Sequence, residues 1–466
     1  MLKKILAQIS IILIIFSFNS ILAAEKCSPD LEMNKGNTSL NSEIDSSEKG
    51  EIFVFFDQST TMKGFTVDQP GQENLYVNIV DDIQQIAENI GSDIIYQNFG
   101  NEINPMQDRD VAKVKTPKFY DCSGSSVACN NQSSTIQEIF KIAEDLPEAT
   151  HIVVTHLSLQ DRQLVGSESK QIRNPLTSIL KKGKSIGIIG VMNSYNGTID
   201  SIPQKNGEYI KYLDAESRPF YILVIGNQKN INRIKADIVE NHFSSNQENF
   251  KYALITSSPI LQNLNVNKLI EETNMPAKLS REDEFNFSYI DDYLPIYRFT
   301  GDKNTELKFK INNDDIIVKG STGVSNFSIT EKVWTTNKIK CKDIKSWNEA
   351  NFGELSTITQ NKDELVIDLF TKKPLKKLFR GIRYFYKVDV YAEKPGDSSE
   401  KEFSNWSVNS SEIDDFTQTN PVTFKTLNLE KFVSILNAVS GDTFKKTLIA
   451  SFAVNFELTK WTWSIF

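Results

Sequence analysis

Between residues 51 and 258, continuous apolar runs alternate with segments of helical periodicity, and this pattern constrains the fold more than any other feature of the chain. "EIFVFF" is apolar at nearly every position, as suits a strand buried on both faces. Leu75, Ile79, Ile83, Ile86 and Ile90 then recur at helical spacing, and Gly91 closes that helix. "DIIYQNFG" is a second strand, and Ile136, Ile139, Phe140 and Ala143 mark a second helix. The strand "HIVVTHL" follows, then a helix through Ile172, Leu176, Ile179 and Leu180, then the strand "SIGIIGVM". "RPFYILVIG", a helix through Ile231, Ile234, Ile238 and Val239, and "YALITSS" complete the series. The alternation predicts a doubly wound, mostly parallel α/β sheet over 51–258 with helices on both faces. In such a sheet the ligand site lies beyond the carboxyl ends of the strands.

After about residue 285 the character changes to short strands without helices, such as "ELKFKI", "NFSITEKVW", "ELVIDLF" and "YFYKVDVYAE", spaced by turn-rich segments. These predict a β-sandwich-like domain over 259–400. Residues 401–466 read as a small C-terminal α/β extension, with a helix at "NLEKFVSILNAV" and a final strand.

The 466 residues carry a formal charge of −8 and no Lys/Arg-rich block, which argues against nucleic-acid binding. The N-terminus combines the basic "MLKK", the apolar "ILAQISIILIIFSFNSILA" and a small-residue exit at Ala23 or Ala24. That predicts a signal peptide over 1–24, a polar linker over 25–50, and an exported protein in the periplasm, outside the cell or on its surface. Membrane attachment is expected only if the apolar segment stays uncleaved. In an oxidising compartment Cys122 and Cys129, in "DCSGSSVACNN", are expected to close a local bridge. His151, His156 and His242 form no HExxH, and no Cys/His spacing suits zinc. "GKSIG" at 183–187 fails as a nucleophile elbow, because its Ser185 opens a strand where that turn needs one to end.

The chemistry concentrates where the first strand stops. In "EIFVFFDQSTTMKGF", Asp57, Ser59 and Thr61 stand at i, i+2 and i+4, a spacing that aims one carboxylate and two hydroxyls at one point. Hard divalent ions take such oxygens. Over roughly residues 51–226 the chain resembles the von Willebrand factor type A domain, whose metal-ion-dependent adhesion motif reads Asp-x-Ser-x-Ser. The resemblance implies that Asp57, Ser59 and Thr61 are metal ligands, joined by Ser134 (or its neighbour Thr135) just before the helix through Ile136, where that family has a Thr before its own third helix. It places His156 where that family has an Asp after the fourth strand. The implied cofactor is Mg²⁺ or Mn²⁺, with imidazole tilting the choice toward the nitrogen-tolerant ion. The implied activity is non-enzymatic engagement of a protein partner. A second resemblance is to haloacid-dehalogenase phosphatases, in which Asp57 would be a phosphotransfer nucleophile and Thr155 the second motif. That family places a general acid where Ser59 stands and an acidic pair after a later strand. "SIGIIGVMN" and "YILVIGNQKN" end without one.

Overall fold

The computed structural model describes residues 50–91, 93–121, 130, 131, 133–243, 248–257, 279–281, 296–299, 307–312, 324–336, 348–361, 364–372, 382–395 and 402–457. The expected signal peptide and the Cys122–Cys129 bridge lie outside the described residues.

The α/β half opens with β1 (Ile52–Asp57), α1 (Leu75–Ile90), β2 (Ile94–Phe99) and β3 (Ile103–Met106). Two short helices follow, α2 (Asp108–Val114) and α3 (Pro117–Asp121), then α4 (Ile136–Asp145) and β4 (Thr150–Thr155). Next come α5 (Asp161–Leu164), α6 (Ser169–Lys181), β5 (Ser185–Ser194) and a hairpin of β6 (Ile199–Pro203) and β7 (Tyr209–Tyr212). β8 (Ser217–Gly226), α7 (Gln228–His242) and β9 (Phe250–Ile255) end this half.

Period-two burial in β1 explains why helices cover both faces. Ile52, Val54 and Phe56 pack with Ile79 and Ile83 of α1 and Ile231 and Ile234 of α7. Phe53 and Phe55 pack on the other side with Ile139 and Phe140 of α4 and Leu176 of α6. Asn74 caps α1 by accepting a bond from Val77 N at 3.2 Å, and Asn227 caps α7 by accepting from Asn230 N at 2.9 Å.

The sheet order is β3-β2-β1-β4-β8-β5-β9. Only the β1–β2 and β1–β4 pairings are parallel; β2–β3, β4–β8, β5–β8 and β5–β9 are antiparallel. The expectation of a mostly parallel sheet is therefore corrected to a mixed one. An apolar run buried on both faces carries no sign of its direction. What decides it is the connection, and between β5 and β8 there is a hairpin instead of a crossover helix. The chain thus re-enters the sheet from the carboxyl edge, and β8 runs down between β4 and β5. The α7 crossover then lays β9 parallel to β8, hence antiparallel to β5.

The β-rich half contains β10 (Leu279–Arg281), β11 (Ile296–Phe299), β12 (Leu307–Asn312), β13 (Val324–Thr336) and β14 (Asn348–Ala350). β15 (Thr357–Gln360), β16 (Glu364–Leu369) and β17 (Arg383–Pro395) follow. The last stretch holds β18 (Ser407–Val408), α8 (Ile413–Gln418), β19 (Thr426–Leu427), α9 (Leu429–Thr443) and β20 (Thr447–Glu457). A six-stranded sheet, β10-β11-β20-β17-β13-β14, and a three-stranded one, β12-β16-β15, enclose Phe309, Ile367, Tyr386, Val388 and Phe452, a sandwich-like core.

Residues 402–457 are not a separate extension. β20 pairs with β11 and β17 inside the six-stranded sheet, whereas Leu429, Phe432, Val433 and Leu436 of α9 are buried in the α4–α6 side of the α/β core. Four such side chains at about 1.5–3 kcal/mol each rival the whole stability of a domain, about 5–15 kcal/mol. A chain ending at residue 401 is expected to lose cooperative unfolding in both halves, checked by near-UV circular dichroism and urea titration. Retained cooperativity would show that α9 and β20 are dispensable.

His151 on β4 is a core residue. Its ring stacks on Phe53 with centroids 5.3 Å apart, its Nε2 lies 3.1 Å from Leu146 O, and burial pushes its pKa down to about 4. The folded state therefore binds fewer protons than the unfolded one between pH 6.5 and 4. Stability is full above 6.5 and falls with pH across that window, by about 3 kcal/mol in all, then levels off. His151→Phe, which keeps the stack but cannot titrate, is expected to make that part of the urea-midpoint profile about half as steep, because buried His156 is depressed into the same range and remains. An unchanged slope would remove His151 from the account.

Candidate functional site at the carboxyl end of the central strands

β1 ends in a carboxylate with no exposure to solvent, and three connections supply its partners. The first is its own: Ser59 N donates to Asp57 Oδ1 at 2.9 Å, starting the tight 3-10 turn Thr60–Thr66. The second is the segment before α4, where Ser134 Oγ donates to Asp57 Oδ2 at 3.1 Å. The third is the end of β4, where Thr155 Oγ1 donates to the same oxygen at 2.7 Å. Thr155 Oγ1 also accepts from Leu157 N at 3.1 Å, which holds Leu157 at φ 51°. A bulky residue in that region is strained, by about 1–3 kcal/mol.

His156, between them, is buried with Nδ1 3.9 Å from Asp57 Oδ2. Nδ1 accepts from Ser158 N at 3.2 Å, so the ring is neutral with its proton on Nε2. Its pKa is pushed down to about 4, chiefly by burial, with Asp57 opposing the shift and Arg218 adding to it. Of the expected site residues, Asp57, Ser59, Ser134 and His156 are thus brought together. Thr61 is buried one step away, its carbonyl accepting from Tyr195 Oη at 2.9 Å. Among the described residues its hydroxyl is not one of the groups bonded to Asp57. Thr135 instead occupies the N-cap position of α4.

The loop after β5 explains the glycine of "TMKGF". A Cβ on Gly64 would sit 2.4 Å from the Tyr195 ring, and Asn196 N donates to Gly64 O at 2.9 Å. Thr60 Oγ1 donates to Asp200 Oδ2 at 3.1 Å, which ties the turn to β6.

Two participants were not read from the sequence as parts of this site. Thr155 was considered only for phosphotransfer. Arg218, second residue of β8, is 1% exposed, and its Nη2 donates to Ser158 Oγ at 2.9 Å. Its guanidinium carbon lies 5.8 Å from the Tyr195 ring centre and 5.9 Å from that of Phe424. Its Nε and Nη1 have no partner among the described residues. The signal was a lone arginine opening an otherwise apolar run, "RPFYILVIG", which a helical or strand pattern passes over.

No protein-family model matches the chain, and no curated protein matches it in sequence.

The donor set can be weighed against the divalent cation expected here. One observation favours an ion: Ser59 Oγ is buried without a partner, leaving its lone pairs free. Two weigh against it. Asp57 already accepts a backbone N–H on one oxygen and two hydroxyls on the other. The buried guanidinium of Arg218 also lies nearby, bonded to Ser158 in the loop that follows His156, and its positive charge opposes a second cation there. A single buried carboxylate already saturated with donors, beside a neutral imidazole, does not suit a hard divalent ion.

A hydrogen bond to a buried carboxylate contributes about 1.5–3 kcal/mol. Thr155→Val, which keeps the shape and removes the donor, is expected to lower stability by that amount in a denaturant titration. A change under about 0.5 kcal/mol, ordinary for a surface substitution, would show the bond to be unimportant.

Proposed function

We propose that the protein is an exported, non-enzymatic binding protein whose α/β half is of the von Willebrand factor type A kind. In this reading the carboxyl edge of its sheet engages a protein partner without a metal ion. The observation that carries the reading is the convergence of Ser59, Ser134 and Thr155 from three connections on Asp57, at the end of the central strand. The adhesion motif likewise gathers a strand-end acid, a pre-helix hydroxyl and a residue after the fourth strand, an acid in that family where this chain has His156.

The same edge carries exposed apolar surface. Tyr209 is 60% exposed, Leu213 67% and Val422 55%, three of the five most exposed large apolar side chains among the described residues. β6 and β7 leave from the carboxyl end of β5, and Val422 O accepts from Glu216 N and Ser217 N where β8 begins. Apolar side chains gathered at one end mark a protein-binding face better than the same residues scattered singly. The phosphotransfer reading is weaker. A nucleophile needs an open oxygen, and those of Asp57 are buried and hydrogen-bonded.

Export is supported by the N-terminal pattern, and no helix among the described residues is long and apolar enough to cross a membrane. N-terminal sequencing of the protein from its native cell is expected to begin near Glu25; an intact Met1 would end that part of the reading. For binding, wild-type chain and Tyr209→Ser/Leu213→Asp chain are each cross-linked in the native exported fraction. A partner is expected with the wild type and lost with the variant, whose unfolding stays unchanged because both sites are exposed. Equal recovery from both would move the interface elsewhere.

A further inference from the structure

We propose that Arg218, separated from Asp57 by Ser158 and His156, is the resident positive charge of this buried cluster and takes the electrostatic place of a divalent cation, which makes the carboxyl-edge site permanently metal-independent. The proposal rests on the reading of this edge as a relative of the adhesion site, but its test needs no partner.

The geometry brings the charge to the right end of the sheet. Thr155 pairs with Tyr221 across β4 and β8, and Asn193 pairs with Arg218 across β5 and β8. Arg218 therefore lies three residues beyond Tyr221 toward the carboxyl edge, where the chain leaving β4 turns through His156 and Ser158. Two residues separate it from the acid: Arg218 Nη2 donates to Ser158 Oγ at 2.9 Å, Ser158 N donates to His156 Nδ1 at 3.2 Å, and that nitrogen, an acceptor, lies 3.9 Å from Asp57 Oδ2 without a bond to it.

Charge counting gives the direction. Asp57 and Arg218 are both buried and sum to zero, and His156 between them is held neutral by its hydrogen bond from Ser158 N. A divalent ion added to this cluster would leave two positive charges in a dry site, an arrangement proteins avoid. Arginine suits the resident role because it is never deprotonated in proteins. The Tyr195 and Phe424 rings flank the guanidinium, and an aromatic face favours a desolvated cation. Phe424 comes from the C-terminal segment, so the last part of the chain completes the housing of this charge.

The test uses the full mature chain with Mg²⁺ or Mn²⁺ alone. Calorimetry of the wild type is expected to show no saturable heat. Its melting temperature is expected to move by less than about 1 °C on adding either ion or a chelator, as for any species that does not bind the folded state. Arg218→Met and Asp57→Asn each leave one buried charge unmatched, and both are expected to melt lower. The double variant is expected to melt above the less stable single variant, since it removes both charges. Should Arg218→Met fail to fold, Asp57→Asn and the double variant still make the comparison. Saturable Mg²⁺ binding by the wild type, or chelator-induced melting, would overturn the proposal. So would a double variant that loses the sum of the single losses. Absence of a protein partner would leave every one of these results untouched.

Discussion

A carboxylate withdrawn from water at the end of the central strand is the constraint that organises the upper end of this molecule. Burying an ionised acid is expensive unless hydrogen bonds and an opposite charge replace the solvent. Asp57 obtains donors from Ser59, Ser134 and Thr155, and each comes from a separate connection. The positions of those connections follow. The turn after β1 must fold back sharply enough to present Ser59 N, which makes room for glycine alone beneath Tyr195. The exit of β4 must hold Leu157 in a strained conformation so that Thr155 can donate to the acid while accepting from the chain beyond it. Strain at this point and nowhere else along β4 fits a site whose geometry is fixed in advance.

The second organising feature is the path of the last described residues. One continuous stretch, 421–457, first lies along the start of β8, then forms β19, then α9 in the α/β core, then β20 within the β-rich sheet. Ser440 Oγ donates to Thr256 O at 2.6 Å, fastening α9 just beyond the end of β9. The Phe140 and Phe432 rings stack at 6.1 Å, fastening it to α4. An interface made of a shared helix and a shared strand differs from two domains that merely touch, where relative motion is the default. Here the two cores cannot separate without one of them losing an element.

Much of this was legible in the sequence, for identifiable reasons. The four helices with clear periodicity, through Ile79, Ile139, Leu176 and Ile234, appear where the spacing places them, because their apolar stripes face cores that need them. Asp57 was legible because the apolar run stops at it, whereas Ser134 before a helix came only from the family resemblance, with Thr135 as the alternative. Strand direction was not, since "RPFYILVIG" reads the same in either sense and the deciding hairpin, 199–212, is short and polar. Arg218 was hidden by composition: one cation in a long apolar run looks like a solvated strand end until the neighbouring loops are seen to enclose it. The destination of α9 was hidden by distance, because a helix near residue 430 gives no local sign that its apolar face completes a core begun at residue 53.

These two features meet over the site. Leu159 N donates to Leu427 O at 3.3 Å, and Asn428 Nδ2 donates to Leu159 O at 2.9 Å, so the loop that follows His156 and Ser158 is stitched to the segment that carries Phe424. Asn428 sits in the left-handed region, which asparagine tolerates better than most residues, and α9 starts at the next position. Displacing the roof over Arg218 therefore pulls on the first turn of a helix whose apolar face is buried throughout. It also pulls, through the length of α9, on a strand inside the second sheet. A hinge needs a segment whose movement disturbs few contacts, and this segment is the opposite case. The carboxyl edge is held rigid by both cores at once, which favours recognition by a preformed surface over recognition by a loop that closes on its partner.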